Sequence, residues 1–412
     1  MALSVFDGNS AKVVEALKEH YKPQRIKEMS YKNNPLLAMI PKYESFGGEN
    51  MPVPLIVTGP QRRSATFTTG QNNGSTSTIR QFLLTRARDY SFASIEHEAI
   101  KASAGNADAF VRYATMEIDG AIHSLKRSLA TALYRDGTGA IGTVTVDPGT
   151  GTTLTLNPIA DVVNFEVGME IVFAASAAAA LRSGGARTIS AINRVTGVIT
   201  VSAAFDADVL SSGSGDLIFQ AGDYTAADDV LKIRGLEGWC PETAPGATAF
   251  FGVNRTADVT RLGGNRFDGS ALPIEEALIE GASLVSREGG SPDHIFTDFV
   301  SYANLEKALG SKVQYDKVKS SDAGVGFDAL IMNGPRGRMK VIPDHNCQPN
   351  TAWMLQLDTW SLNSLGAAPQ ILDADGNRML RENAADAYEV RVGYYGNVGC
   401  VAPGWNCRVK LA

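Results

Sequence analysis

Four cysteines in 412 residues (Cys240, Cys347, Cys400, Cys407) are too few and too scattered for a disulfide framework. Free thiols in a reducing compartment are the expectation. No CxxC or HxxxH pairing exists, and the five histidines do not cluster. That excludes a zinc site of ordinary spacing, including one built on His345 and Cys347. No run approaches the roughly 18 apolar residues that a membrane helix needs. The opening MALSVFDGNS has neither the basic start nor the apolar run of a signal peptide. A net charge of −6 gives no basic domain of the kind a dedicated nucleic-acid binder shows. GTGAIG at 137–142 follows a helical pattern and opens a strand pattern, the reverse of a dinucleotide fingerprint. Asp373, Asp375 and Gly376 resemble the start of a calcium loop, but the glycine and the closing acid are misplaced, so a hairpin turn is expected there. His97, between Glu96 and Glu98, reads as a solvated helix start. With no nucleophile–base pair, no metal ligands and no cofactor motif, the chain reads as no enzyme and as having no cofactor.

One absence is local. No lysine occurs between Lys42 and Lys101, and residues 51–88 contain no acid either. What that segment does contain is five arginines: Arg62, Arg63, Arg80, Arg86 and Arg88. Its ends alternate like strands, with Pro52 and Pro54 suited to an edge. Its middle is rich in Gly, Thr, Ser and Asn, with a turn signal at Asn73-Gly74. It has too few large apolar residues to bury itself, and connections this long are usually functional. A polar arm of one sign needs a partner surface.

The remaining chain supplies that arm with a context. Residues 11–20 show a short helical pattern, and Pro23, Pro35 and Pro41 make the following stretch read as an extended arm. A long helix is expected over 107–135, with Ile118, Ile122, Leu125, Leu129 and Leu133 on one stripe and Gly137 as its stop. At 1.5 Å per residue it would be roughly 40 Å long. From residue 138 the period changes to two, and short strands with Gly and Asn turns suggest a small barrel or sandwich. Residues 138–225 carry eight acids, three arginines and no lysine, whereas the stretch before Gly47 is basic. Complementary patches of this kind favour register in assembly. DDVLKIRGLEGW returns to a helical pattern and then a turn, and a clear helix is expected over 271–288 with Pro273 in its first turn and Gly289 after its end. HIFT reads as a strand, Asp298 as the cap of the next helix, and Gly310 as its stop. A late series of strands completes an α+β fold.

This order of parts resembles the major capsid protein of tailed bacteriophages, the Hong Kong 97-type capsid fold. The resemblance implies an α+β phage capsid fold with an inserted small all-β domain. It divides the chain into an N-terminal arm (1–45), an E-loop (46–95), a peripheral domain with a spine helix (96–137), an all-β insertion (138–224), an axial domain (225–390) and C-terminal strands (391–412). It implies self-assembly into pentamers and hexamers of an icosahedral shell around double-stranded DNA, in a virion assembled in the host cytoplasm. The E-loop arginines would meet acids on neighbouring subunits, with Glu117 and Asp119 on the spine helix as candidate partners. Some members cross-link through an E-loop lysine; lacking one, this shell is expected to be non-covalent there. The arm is short, so a separate scaffolding protein is expected, with a portal and a possible decoration protein on the β insertion as further partners. An encapsulin-like nanocompartment shell and a β-rich adhesin are the alternatives.

Overall fold

The computed structural model describes residues 34–98, 107–145, 148–205, 215–226, 231–309, 315–319, 326–373, 378–383 and 385–412. The helical pattern at 11–20 and the turn at Asp375-Gly376 lie outside the described residues. The chain forms two compact units. One comprises 1–32, 89–127 and 369–394; the other comprises 33–88, 128–368 and 395–412.

In the first unit, residues 89–96 of strand β3 (Ala87–Glu96) belong to a sheet with the strand Ala387–Cys400. Short strands at Gln370–Ile371 and Leu380–Arg381 extend the sheet, with Gln370 opposite Gly393 and Leu380 opposite Glu389. Ser94 Oγ donates to Glu382 Oε2 at 3.1 Å, and His97 lies 3.2 Å from Asp386. The long helix α2 (Ala107–Tyr134) runs 28 residues, at the expected place, and contributes its first part to this unit. Leu125, Leu129 and Leu133 are buried, while Ile118 and Ile122 are half-buried, as the stripe requires.

The second unit contains three β systems. The largest is a seven-stranded mixed sheet ordered Asn265–Asp268, Cys407–Lys410, Thr351–Leu355, His294–Thr297, Gly337–Pro343, Gly326–Gly334, Tyr315–Lys319. His294–Thr297 is central: it runs parallel to Lys340–Pro343 and antiparallel to Ala352–Leu355. The parallel pairing requires a crossover, which α4 (Phe299–Leu309) begins. Asp298 starts that helix by accepting from the N–H groups of Val300 and Ser301 at 3.0 and 3.2 Å. Helix α3 (Ile274–Arg287) buries Ala277, Leu278, Ala282 and Val285 with Ile295, Val341, Met354 and Val409. A Cβ at Gly281 would stand 2.6 Å from Val409, so glycine there lets helix and sheet approach closely.

The second system spans residues 140–220. Six antiparallel strands follow the order Ala140–Thr143, Leu217–Gln220, Glu170–Ala174, Arg187–Asn193, Val198–Val201, Thr153–Thr155. Thr145 N–H donates to Thr155 O, and Asn157 N–H to Thr143 O, both at 2.9 Å, which closes the sheet on itself. The interior is filled by Phe165, Phe173, Phe205, Ile171, Ile199 and Ile218, among others. The barrel is tied to the end of α2. Arg135 Nη2 lies 2.7 Å from Asp161 Oδ1, both largely buried, and Thr131 Oγ1 donates to Asn164 Oδ1 at 3.4 Å. Burial pushes the Asp161 carboxyl up, opposed by the Arg135 charge.

Two local expectations fail. Of the helical pattern in DDVLKIRGLEGW, residues 228–230 lie outside the described residues, 231–235 are non-helical, and a helix forms at Leu236–Trp239. Lys232 and Ile233 are buried in non-helical backbone, where Lys232 pairs with Asp223 at 2.8 Å. Tertiary burial overrides propensity there. The Asn73-Gly74 pair is not the hairpin turn. It follows a short helix α1 (Phe67–Asn72) at the tip of the arm, whose last turn donates from Asn73 N–H to Thr69 O.

Candidate functional site

The third β system of the second unit is the arginine-bearing arm itself. Strand β1 (Asn50–Thr58) pairs antiparallel with β2 (Thr78–Thr85) as an isolated two-stranded sheet. Asn50 faces Thr85 and Thr58 faces Thr78, and residues 59–77 form the tip. Pro52 and Pro54 are accommodated because β1 has a partner on one side only. Ser75 braces the tip: its Oγ accepts from Gln61 N–H at 2.8 Å, and its carbonyl from Arg62 Nε at 3.4 Å.

The base of the hairpin is held from several directions. Phe82 is fully buried, edge-on to Trp239 at 4.9 Å and to Phe250 at 6.3 Å between centroids. Such pairs add about 0.5–1.5 kcal/mol each beyond area burial. Leu83 N–H donates to Phe251 O at 3.0 Å, and Arg261 Nη1 donates to Val57 O at 2.5 Å. Asn397 Nδ2 donates to Thr85 O at 2.9 Å. Phe251 sits at a left-handed φ of 47°, which costs a side-chain-bearing residue energy. Arg234 lies 4.8 Å over its ring, and Arg255 lies 4.2 Å over that of Phe250. Arg255 also donates to the carbonyls of Gly238 and Trp239. Burial pushes the Arg255 guanidinium down to about 10, so it stays charged near neutrality.

The five arginines occupy different positions. Arg62, Arg63, Arg80 and Arg88 are exposed, and none has an acid partner among the described residues. Arg86 is half-buried and turned back on its own chain. It donates to the carbonyls of Phe46 (3.0 Å) and Gly48 and lies 5.3 Å over the Phe46 ring. It therefore closes the entry to the hairpin. Glu117 and Asp119 lie in the first unit on α2, the former half-buried and the latter exposed. Partial burial pushes the Glu117 carboxyl up. The residues that brace the hairpin, Trp239, Phe250, Phe251, Arg255 and Arg261, were not found by sequence reading. The adjacent aromatics in FFGVNR, followed by Arg255, were the available signal.

Other features have structural partners. Asp344 is buried and accepts from Tyr134 Oη at 2.9 Å and from Asn346 N–H at 3.0 Å. Asn34 at the start of the described chain meets Asn346 Nδ2 at 2.9 Å, and the short helix Pro35–Met39 follows. The four cysteines are free and buried. Burial pushes the Cys240 thiol up to about 12, and the other three rise as well. Among the described residues no group of three or more metal-capable side chains comes together. Nor, among the described residues, is any helix long and apolar enough to cross a membrane.

An arm that projects as an isolated hairpin, a long helix and a seven-stranded sheet with two covering helices make up a shell-protein fold. The capsid chain of cyanophage A-1(L) shares it, at 11% identity and a TM-score of 0.52 over 96% of this chain and 97% of that one. Capsid chains of a native GTA particle (9% identity, TM-score 0.47, 96% and 95% covered) and of the SrpI encapsulin of Synechococcus elongatus (8%, 0.46, 97% and 94%) are more distant and carry no weight. No curated protein matches in sequence. Residues 216–381 match the family model of the SU10 major capsid protein. Over those residues the chain is similar to the SU10 major capsid protein, and its fold as a whole is that of a phage capsid chain.

Proposed function

We propose that this chain assembles with copies of itself into the pentamers and hexamers of an icosahedral shell that encloses double-stranded DNA. The observation that carries this reading is the hairpin of residues 50–85. It is rigid at its base, projects Arg62, Arg63 and Arg80, and leaves them without an acid among the described residues. On a neighbouring copy the exposed arginines, with Arg88, meet carboxylates, and Glu117 and Asp119 are the candidates. Arginine suits such contacts because its planar fork pairs bidentately and tolerates partial burial. Arg86 holds the hairpin in place. With no lysine in the hairpin, the contact is non-covalent. A separate scaffolding protein and a portal complete assembly in the host cytoplasm, and the outer surface of the barrel is a place for a decoration protein.

The test is electron microscopy of the expressed chain, alone and with a scaffolding partner. Shells, tubes or capsomers are expected. A monomer at every concentration would end the shell reading. Arg62→Glu with Arg63→Glu is expected to weaken or block assembly while the monomer stays folded. Normal shells from that variant would remove those two arginines from the contact.

A further inference from the structure

The turn at Phe250–Val253 gathers cations that no acid pairs with among the described residues. Phe250 and Val253 exchange both backbone hydrogen bonds, at 2.9 and 3.0 Å, and the residues between them, Phe251 and Gly252, sit at φ 47° and 79°. Such a turn favours Asn or Asp before its Gly, so a phenylalanine there is strained. Its ring lies under a cation. The Arg234 guanidinium stands 4.8 Å over Phe251 and 5.2 Å over Phe250, and Arg255 shares the Phe250 ring at 4.2 Å. Arg255 is 8% exposed, spends Nη1 on two carbonyls, and buries its Nε without a partner. Arg266 engages the carbonyls of Gly263 and Val259 at 3.1 and 2.8 Å. The Arg234 guanidinium donates no hydrogen bond among the described residues. Burial pushes all three guanidinium groups down, and Arg266 and Arg234 add to the push on Arg255. Cys240 opposes that push only as a thiolate, and burial raises its thiol to about 12, so it is neutral near pH 7. Asp136 acts on Arg234 from a distance, while its Oδ1 accepts from the N–H and hydroxyl of Thr138 at 2.9 and 2.7 Å.

We propose that Arg234 and Arg255, beside Arg266, form a binding site for a single oxyanion of the phosphate class. Like charges held together in partly buried protein repel one another, and that cost falls when an anion joins them. The planar fork of Arg234, unspent within the chain, takes two oxyanion oxygens at once. Arg255 and Arg266, already engaged by carbonyls, supply charge from beside it. Solvent reaches the site, because Arg234 is only half-buried and Gly252 leaves the turn open: a Cβ there would meet nothing within 4 Å. A carboxylate is the poorer match. It brings one charge to three cations, whereas a phosphate brings up to two and more acceptor oxygens. The acids nearby in sequence serve another arginine: Glu237 and Glu242 lie 3.0 and 3.3 Å from Arg408. The ring contacts explain how Arg234 is held, and the missing carboxylate explains what it is held for. This inference does not depend on the shell-forming reading.

The test titrates the full chain with inorganic phosphate at constant ionic strength, read by thermal unfolding and by the phosphorus NMR line width of the ligand. The wild type is expected to gain thermal stability saturably at millimolar phosphate, below the range in which excluded salts stabilise proteins in general. The phosphate line is expected to broaden when the protein is added. Arg234→Gln, with its fold checked by circular dichroism, is expected to raise the Kd at least about tenfold. Arg234→Lys keeps a cation over the rings but not the fork, and is expected to fall between the two. It carries the comparison if the glutamine variant does not fold. A short DNA duplex then separates two sources of the same chemistry. Displacement of bound phosphate by the duplex makes a nucleic-acid backbone the source, and retention makes it the free ion; either outcome keeps the site. No saturable response in the wild type overturns the proposal. Equal affinity in the wild type and both Arg234 variants overturns it as well, since the binding would then lie elsewhere. Neither result bears on the shell reading, which stands or falls on microscopy.

Discussion

The barrel of residues 140–220 and the hairpin of residues 50–85 are both antiparallel β structure within one unit, yet they treat apolar side chains in opposite ways. The barrel closes its sheet and puts Phe165, Phe173 and Phe205 inside. The hairpin has two strands, cannot close, and leaves Ile56, Ile79 and Phe67 in water. Strand propensity is similar in both. The difference is strand number: six strands can enclose a core, whereas two expose one face unless something else covers it. Charge divides the same way. Two of the barrel's three arginines are paired with acids within the chain, Arg182 with Asp216 at 2.8 and 2.9 Å and Arg194 with Glu166 at 2.8 Å. Arg63, Arg80 and Arg88 of the arm segment have no such partner among the described residues. One region buries its apolar side chains within the chain, and the other leaves several of them exposed.

Four measurements would break or sharpen this contrast. The largest effect is expected from Phe165→Ala, which opens a cavity in the barrel and costs about 3–5 kcal/mol of its stability in denaturant. The four buried thiols, all outside the barrel and the hairpin, then report whether the rest of the chain unfolds with it. In the wild type they are expected to resist thiol reagents until global denaturation, because burial holds Cys240 near 12 and raises the others. Next comes Asp161→Asn, which leaves Arg135 largely buried without its counter-charge and costs about 3 kcal/mol. A loss under about 1 kcal/mol would mean that the barrel does not depend on this tie to the spine helix.

A smaller and pH-dependent effect is expected in the seven-stranded sheet, which serves as reference for both regions. Burial pushes the Asp293 carboxyl up, but hydrogen bonding and charge from His294 outweigh it and the net direction is down. A depressed carboxyl contributes stability above its unfolded value, and that contribution is lost as pH falls through the folded value. The stability gap between wild type and Asp293→Asn should therefore be full at pH 6–7 and shrink below about pH 4. A gap that widens on acidification would contradict the assignment. The smallest effect on the monomer is expected from Ile79→Ala, less than about 0.5 kcal/mol, because its side chain is already in water. Phe82→Ala, three residues along the same strand, should cost about 3 kcal/mol or more. Equal losses from the two would show that the outer face is covered in the monomer.

Much of the fold was legible in the sequence because periodicity records which face meets a core. The 28-residue spine helix, the strand His294–Thr297, the helix capped by Asp298 and the strand Ala387–Cys400 all stand where their patterns place them. The two misses share a cause. At Asn73-Gly74 a local turn signal lost to a longer-range arrangement, in which Thr58 meets Thr78 and the tip folds as a helix. At residues 231–235 a helical pattern lost to burial of Lys232 and Ile233 in non-helical backbone. At the candidate site the one-signed arm was visible as composition. Its bracing was not, because Phe82, Trp239, Phe250 and Arg261 are brought together from distant parts of the chain.

By itself, then, the sequence determined that a long lysine-free and acid-free segment would stand apart from the cores, since it has too few apolar residues to make one. Only the tertiary structure decided which side of that segment is left bare and which arginine is turned inward. Strand register selects alternate residues for opposite faces, so a pairing that buries Val53 and Phe82 exposes Ile56 and Ile79. The same register carries the chain back to Phe46 and Gly48, whose carbonyls engage Arg86, while Arg62, Arg63, Arg80 and Arg88 stay exposed.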